Sequence, residues 1–144
     1  MTLSLIKMDR PRSYPPRQTE FTQHFWGVLN EGRFETTRCD DCGRPSFPPK
    51  PFCPHCWSRN VAWIELSGRG KLYAQTVVHA APSVFRDEAP YRVGIVDLEE
   101  GVRIATRIVS EETPELDHPV EIVVLNYTDG PLFAARPVGD RRKP

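Results

Sequence analysis

With 144 residues, the chain has room for one modest hydrophobic core and is too short for a standard enzyme barrel. Its 19 Lys and Arg balance 19 Asp and Glu, which removes the broad positive field that supplies most non-specific nucleic-acid affinity. Fifteen prolines exclude long helices from the stretches they crowd, and no apolar run reaches the roughly 18 residues of a membrane span.

Residues 1–17, with Pro11, Pro15, Pro16 and many charges, read as an extended arm rather than a packed element, suited to wrapping a partner. Met1 to Arg10 has no apolar signal-peptide core, so a cytoplasmic chain is expected. From Thr19 to Glu31, Phe21, Phe25, Val28 and Leu29 fall on one face of an amphipathic helix, with Gly32 as its stop. Phe21, Phe25 and Trp26 are candidates for a partner interface, packing onto the chain's own core being the alternative. Residues 1–33 are taken as arm plus helix.

Phe34 to Arg38 is a short strand leading into Cys39-Asp40-Asp41-Cys42, and Cys53-Pro54-His55-Cys56 follows after the segment Gly43 to Phe52. Each Cys-x-x-Cys step brings two thiolates to one ion, so Cys39, Cys42, Cys53 and Cys56 together form a tetrahedral clamp. Zinc is the commoner occupant of such ribbons. Rubredoxin-type iron and disulfides are the alternatives, and the compartment argues against disulfides. Arg38, Arg44, Lys50 and Arg59 flank the clamp and can offset the charge of four thiolates. The ribbon is assigned to residues 34–62, with Val61 to Leu66 as its exit strand.

Beyond it the chain reads as strand after strand. Ser67 to Gly70 is a turn, Lys71 to His79 a strand, Ala80 to Pro90 a long loop, and Arg92 to Leu98 the next strand. Glu99-Glu100-Gly101 turns into Val102 to Val109, where Val102, Ile104, Thr106 and Ile108 alternate with Arg103, Ala105, Arg107 and Val109. Val120 to Asn126 and Leu132 to Arg136 make a second hairpin around Tyr127 to Pro131. Five strands without room for crossover helices indicate a mainly β protein, with residues 63–144 forming a five-stranded OB-fold barrel plus tail. An SH3-like barrel or small sandwich is the alternative.

Several segments together resemble one family. They are Phe25-Trp26 with Leu29, Glu31-Gly32-Arg33-Phe34, the Cys-x-x-Cys-Gly step, Phe47-Pro48-Pro49, Cys53-Pro54-x-Cys56, Trp63 and Ser67-Gly68-Arg69-Gly70. The match continues through Val77-Val78-His79, Ala89-Pro90-Tyr91 and Val96-Asp97-Leu98-Glu99-Glu100-Gly101. This pattern, over roughly residues 20–136, resembles the DUF35 family. The resemblance implies a helical lead, a rubredoxin-like zinc ribbon and an OB fold, in an accessory subunit of a thiolase-like or hydratase-like acyl-CoA enzyme. Where many members carry Gly-Ser after the last cysteine, this chain has Trp57-Ser58, and the tail Arg141 to Pro144 lies outside the pattern.

No catalyst is legible in the chain itself. All four cysteines are committed to the clamp, so none is left as a thiolase nucleophile, and no Gly-x-Ser-x-Gly elbow occurs. Asp97, Glu99 and Glu100 sit at a hairpin turn, where carboxylates are ordinarily solvated, and His24, His79 and His118 are scattered singly. OB folds bind along their second and third strands and adjoining loops, which places candidate acyl-CoA contacts at Phe85, Tyr91, Arg92, Arg103 and Arg107. Solvation of the outer barrel face is the plainer account of those arginines. An oligonucleotide-binding OB module and a rubredoxin-like electron carrier are the alternative functions, the first disfavoured by the neutral charge.

Overall fold

The computed structural model describes residues 2–139, so the basic tail lies outside the described residues. Strand β1 (Leu5–Lys7) precedes helix α1 (Gln23–Asn30), and β2 (Phe34–Cys39), β3 (Pro45–Ser46) and β4 (Val61–Leu66) form a three-stranded ribbon sheet in the order β3-β2-β4. Strands β5 (Arg69–Val78), β6 (Tyr91–Leu98), β7 (Arg103–Ile108), β8 (Pro119–Tyr127) and β9 (Gly130–Pro137) follow, with a 3₁₀ segment, Ser83–Glu88, in the β5–β6 loop.

These five strands close on themselves. β5 pairs with β6, β6 with β7, β7 in parallel with β9 through Ile108 and Ala135, β9 with β8, and β8 back with β5 through Arg69–Lys71. This is the five-stranded OB barrel expected from the strand count. Two sequence features allow closure. A register shift around Tyr73 bends β5, so that one long strand can serve two neighbours. Gly70 lies so close to the Asp97 backbone that a Cβ would collide with it.

Helix α1 is shorter than the expected 19–31. Thr19 and Thr22 bond each other reciprocally, Thr19 N–H to Thr22 Oγ1 at 2.7 Å and Thr22 N–H to Thr19 Oγ1 at 3.1 Å, so a side-chain-closed turn precedes the helix. Gly32 ends it at φ +85°, with Arg33 N–H donating to Val28 O at 2.9 Å in a Schellman closure. The buried face is Phe25, Val28 and Leu29. Phe25, expected among the partner-facing residues, is only 4% exposed and belongs to the chain's own core.

That core is shared by helix, ribbon and barrel. Phe25, Leu29, Phe34 and Leu66 cluster with Leu72, Val96, Ile104, Ile108, Val120, Ile122 and Val124 of the barrel interior. At the junction, Phe25 from α1, Phe34 from β2, Phe47 from between the cysteine pairs and Phe133 from β9 form an aromatic knot. Its ring centroids lie 5.2 to 6.0 Å apart, within the range of favourable aromatic pairs.

The N-terminal arm departs from expectation: it is packed. β1 pairs in parallel with β8, Leu5 opposite Val124 and Lys7 opposite Asn126. The reason lies in β8, which is apolar on both faces. Val120, Ile122 and Val124 point into the barrel, while Val123, Leu125 and Tyr127 point out and form a second cluster with Ala134 that Ile6 and Met8 cover. An outward row of this kind has to be sealed from water. Arg12 then ties the arm down: its backbone N–H and its Nε donate to Asp129 Oδ1 at 2.8 and 3.3 Å, and its other nitrogens to the carbonyls of Asp129 and Pro131.

The two faces of β1 give a direct check. Ile6→Asp should lower stability in urea unfolding by about 2 kcal/mol, whereas Leu5→Asp, at a side chain 58% exposed, should change it by under about 0.5 kcal/mol. Equal effects at the two positions would contradict the packed arm.

Candidate metal centre and barrel groove

Cys39 closes β2, and Cys42 follows a tight turn in which Gly43 N–H donates to Cys39 O at 2.9 Å. Trp57 N–H makes the equivalent bond to Cys53 O at 2.8 Å. The knuckles are pinned together by Asp41, whose carboxylate accepts from the Ser58 hydroxyl and from Asn60 Nδ2 at 3.1 Å. Four sulfurs thereby converge, all within 4.8 Å of one another, with Cys39–Cys56 at 3.6 Å and Cys42–Cys53 at 3.5 Å. Zinc–sulfur bonds of about 2.3 Å in a tetrahedron require sulfur separations of about 3.8 Å, close to the two short pairs, so the donor set fits a zinc ion.

Backbone amides favour the thiolate form at Cys39 and Cys53. Asp41 N–H and Cys42 N–H point at Cys39 Sγ at 3.3 and 3.4 Å, and His55 N–H at Cys53 Sγ at 3.3 Å. The Cys42 amide above all, helped by that of Asp41, brings Cys39 down to about 7 against the burial that would raise it. Cys56 moves the other way, to about 12: the Ser58 amide lowers it, but burial and the neighbouring sulfurs outweigh that bond. Four adjacent sulfurs cannot all ionise unaided, and a divalent cation is what allows it. Cys39, Cys42, Cys53 and Cys56 would hold that ion in a closed shell, with His55 exposed beside it.

Trp57 occupies the position where relatives were expected to carry glycine. It takes φ +65°, a conformation that costs a β-carbon residue about 1–2 kcal/mol, and its ring stacks nearly parallel on Phe52 at 5.5 Å. The departure in sequence leaves the turn intact.

The five barrel candidates separate into two groups. Phe85, Tyr91 and Arg107 meet: Phe85 and Tyr91 lie 6.1 Å apart, and the Arg107 guanidinium sits 3.9 Å over the Tyr91 ring. Arg92 joins Tyr91 and Arg107 along one groove. Arg103 lies apart, bonded twice to Asp97 at 2.6 and 3.1 Å and 3.8 Å over the Tyr73 ring. The carboxylates of the 97–100 hairpin are structural partners: Asp97 holds Arg103, Glu99 accepts from Arg69 Nε at 3.3 Å, and Glu100 accepts from Ser67 N–H at 2.8 Å. His79 is exposed, His118 contacts Val138 O at 3.1 Å, and His24 pairs with Glu35 at 2.6 Å.

Glu88 organises the groove, and sequence reading missed it. Its carboxylate accepts from Ser13, from Arg10 at 3.3 Å and from Arg107 at 2.7 Å, so it fastens the arm and β7 to the 3₁₀ segment. Burial pushes its pKa up, but Ser13, Arg107 and Arg10 together hold it below the ordinary 4.5. No residue spacing announces this cluster, because its members come from the arm, the loop and β7. The signal that existed was the two-faced β8, which demands a cover.

Two outcomes follow from these geometries. Cys39→Ser should reduce bound zinc from one per chain to a small fraction by metal analysis and lower the unfolding temperature, whereas an unchanged zinc content would exclude Cys39 as a ligand. For Glu88, a folded pKa below the unfolded value means a stabilisation present above pH 4.5 and lost as pH falls through the folded value. Between about pH 5 and pH 3 the natural chain should therefore lose more stability in urea titrations than Glu88→Gln does. Parallel curves would remove the ionised pair.

Comparison with known proteins agrees with this architecture. The model of the ChsH2 rubredoxin-like zinc ribbon domain matches residues 26–62, and that of the ChsH2 C-terminal OB-fold domain matches residues 63–125. A DUF35 domain-containing scaffold protein of Methanocaldococcus jannaschii is 47% identical over 73 residues, 50% of this chain and about half (52%) of the relative's length. Benzoylsuccinyl-CoA thiolase subunit BbsA of Thauera aromatica is 34% identical over 130 residues, 84% of this chain and 88% of that protein. Among solved structures, the Ltp2-ChsH2(DUF35) aldolase superposes with a TM-score of 0.73 at 30% identity, covering 85% of this chain and 98% of that one. The four cysteines are thus a structural zinc site of a rubredoxin-like ribbon, and the chain belongs to the DUF35 family.

Proposed function

We propose that this chain is a noncatalytic accessory subunit of an acyl-CoA-processing enzyme, with a thiolase-like partner first and a hydratase-like one second. The observation that carries the reading is chemical. Thioester cleavage in a thiolase needs a free cysteine nucleophile, and all four cysteines of this chain converge in one closed tetrathiolate. The likeness to a thiolase subunit over most of both chains and to a DUF35 component of an aldolase supports assembly with such an enzyme.

In this reading the chain supplies a rigid docking body and one wall of an acyl-CoA site. Phe21, half-buried and stacked on Trp63 at 5.2 Å, and Trp26, beside the core, form the partner-facing edge, without the buried Phe25. Phe85, Tyr91, Arg92 and Arg107 line the wall, while Arg103, already neutralised by Asp97, contributes less. Guanidinium groups suit an anionic group on the ligand, and the apolar floor suits its acyl part.

Affinity purification of the tagged full chain from its native host tests the assignment. A thiolase- or hydratase-class subunit should co-purify in a defined ratio, the complex should turn over an acyl-CoA, and the chain alone should not. Turnover by the pure chain would overturn the noncatalytic reading. Arg107→Ala should weaken acyl-CoA binding by the complex about tenfold, the scale of one charged contact, with Arg103→Ala changing it far less.

A further inference from the structure

The groove that runs past Arg107 has a charge imbalance. Its cavity, about 420 Å3, falls in the size range of small-molecule sites, and its walls combine aliphatic side chains of Ile6, Val77, Ile108, Val109 and Leu125 with three arginines, Arg10, Arg92 and Arg107. Arg10 and Arg107 share the single carboxylate of Glu88. Arg92 has neutral partners among the described residues: it donates to Gln75 Oε1 at 3.2 Å and to Thr113 Oγ1 at 3.3 Å, and its Nε is buried without a partner. Gln75 is in turn bonded to Pro114 O, which holds the arginine's support in place. A guanidinium that lines a largely apolar groove and hydrogen-bonds to neutral groups gains a stronger, charge-assisted bond when an anion reaches it.

We infer that this groove binds the acyl end of the ligand, and that Arg92 receives a carboxylate carried on that acyl group. The inference rests on the acyl-CoA reading and sharpens it: the substrates are acyl groups with an apolar body and an acid function. The nucleotide end of CoA fits the groove poorly. The groove tyrosines already carry guanidinium groups over a ring face, Tyr91 with Arg107 at 3.9 Å and Tyr127 with Arg10 at 5.4 Å, which leaves less aromatic surface on which an adenine could stack. Glu88 shows how the site treats a carboxylate, because two arginines and a serine hydroxyl already hold one there.

Titration calorimetry of the zinc-loaded full chain with sodium octanoate, octanol and octyl phosphate tests this. Octanoate should bind saturably with one site per chain, octanol at least tenfold more weakly, and octyl phosphate no tighter than octanoate. Arg92→Gln should weaken octanoate binding tenfold or more. Because Arg92 also supports the 110–116 segment through Thr113, Val109→Glu is the second variant: it places a negative charge at the mouth, on a side chain 37% exposed, and should abolish octanoate binding without loss of fold. Equal binding of octanol, tighter binding of octyl phosphate, no saturable octanoate binding, or undiminished affinity in both variants would each overturn the inference. If octanoate fails while an acyl-CoA enzyme still co-purifies with the chain, this assignment falls and the accessory-subunit reading stands.

Discussion

The knot of Phe25, Phe34, Phe47 and Phe133 holds helix, ribbon and barrel together. Each ring is delivered by a different element: the helix, the first ribbon strand, the segment between the cysteine pairs and the last barrel strand. The ribbon sheet is small: Phe34 and Leu66 enter the shared core, with Trp63 and Ile64 packed partly buried against it. Such a sheet is not stable on its own, and a metal and a shared core make up the deficit. Zinc fixes both ends of the 43–52 segment, while Thr36 bonds Ser46 O and Thr37 Oγ1 accepts from Lys50 N–H at 3.0 Å. Phe47 is thereby held where the knot needs it. A metal in the clamp would act on the knot through the position of this one ring.

This arrangement joins the two matched domains through one shared core, in which residues of the helix, the ribbon and the barrel are buried together. Elements that share a core lose less conformational freedom when they bind as a unit. The arm contributes in the same way. By sealing β8 and clasping Glu88, it fixes the 3₁₀ segment whose Phe85 borders the groove.

Legibility in the sequence followed the range of the interactions. The metal site was readable because a Cys-x-x-Cys step is a local geometry, and the barrel because turns and period-two alternation are local as well. The helix ran short of its predicted start because the Thr19–Thr22 turn competes for the same backbone. Burial of Phe25 could not be separated from an exposed role by periodicity, which gives a face but not what covers it. The packing of the arm is hidden in the sequence because prolines and charges mask Leu3, Ile6 and Met8. Its partner is the outer row Val123–Leu125–Tyr127, more than a hundred residues away in sequence. Arg92, Arg107 and Glu88 were separable only in three dimensions, since strand alternation does not say which arginine finds a carboxylate.

Through Phe47, zinc is expected to organise the whole chain and not the ribbon alone. Hydrogen exchange on the chain before and after chelation measures this directly. Loss of zinc should deprotect the amides of residues 39–56 and also those around Phe25 in α1 and Phe133 in β9, which touch no ligand cysteine. Deprotection confined to the two cysteine turns, with α1 and β9 unchanged, would contradict it.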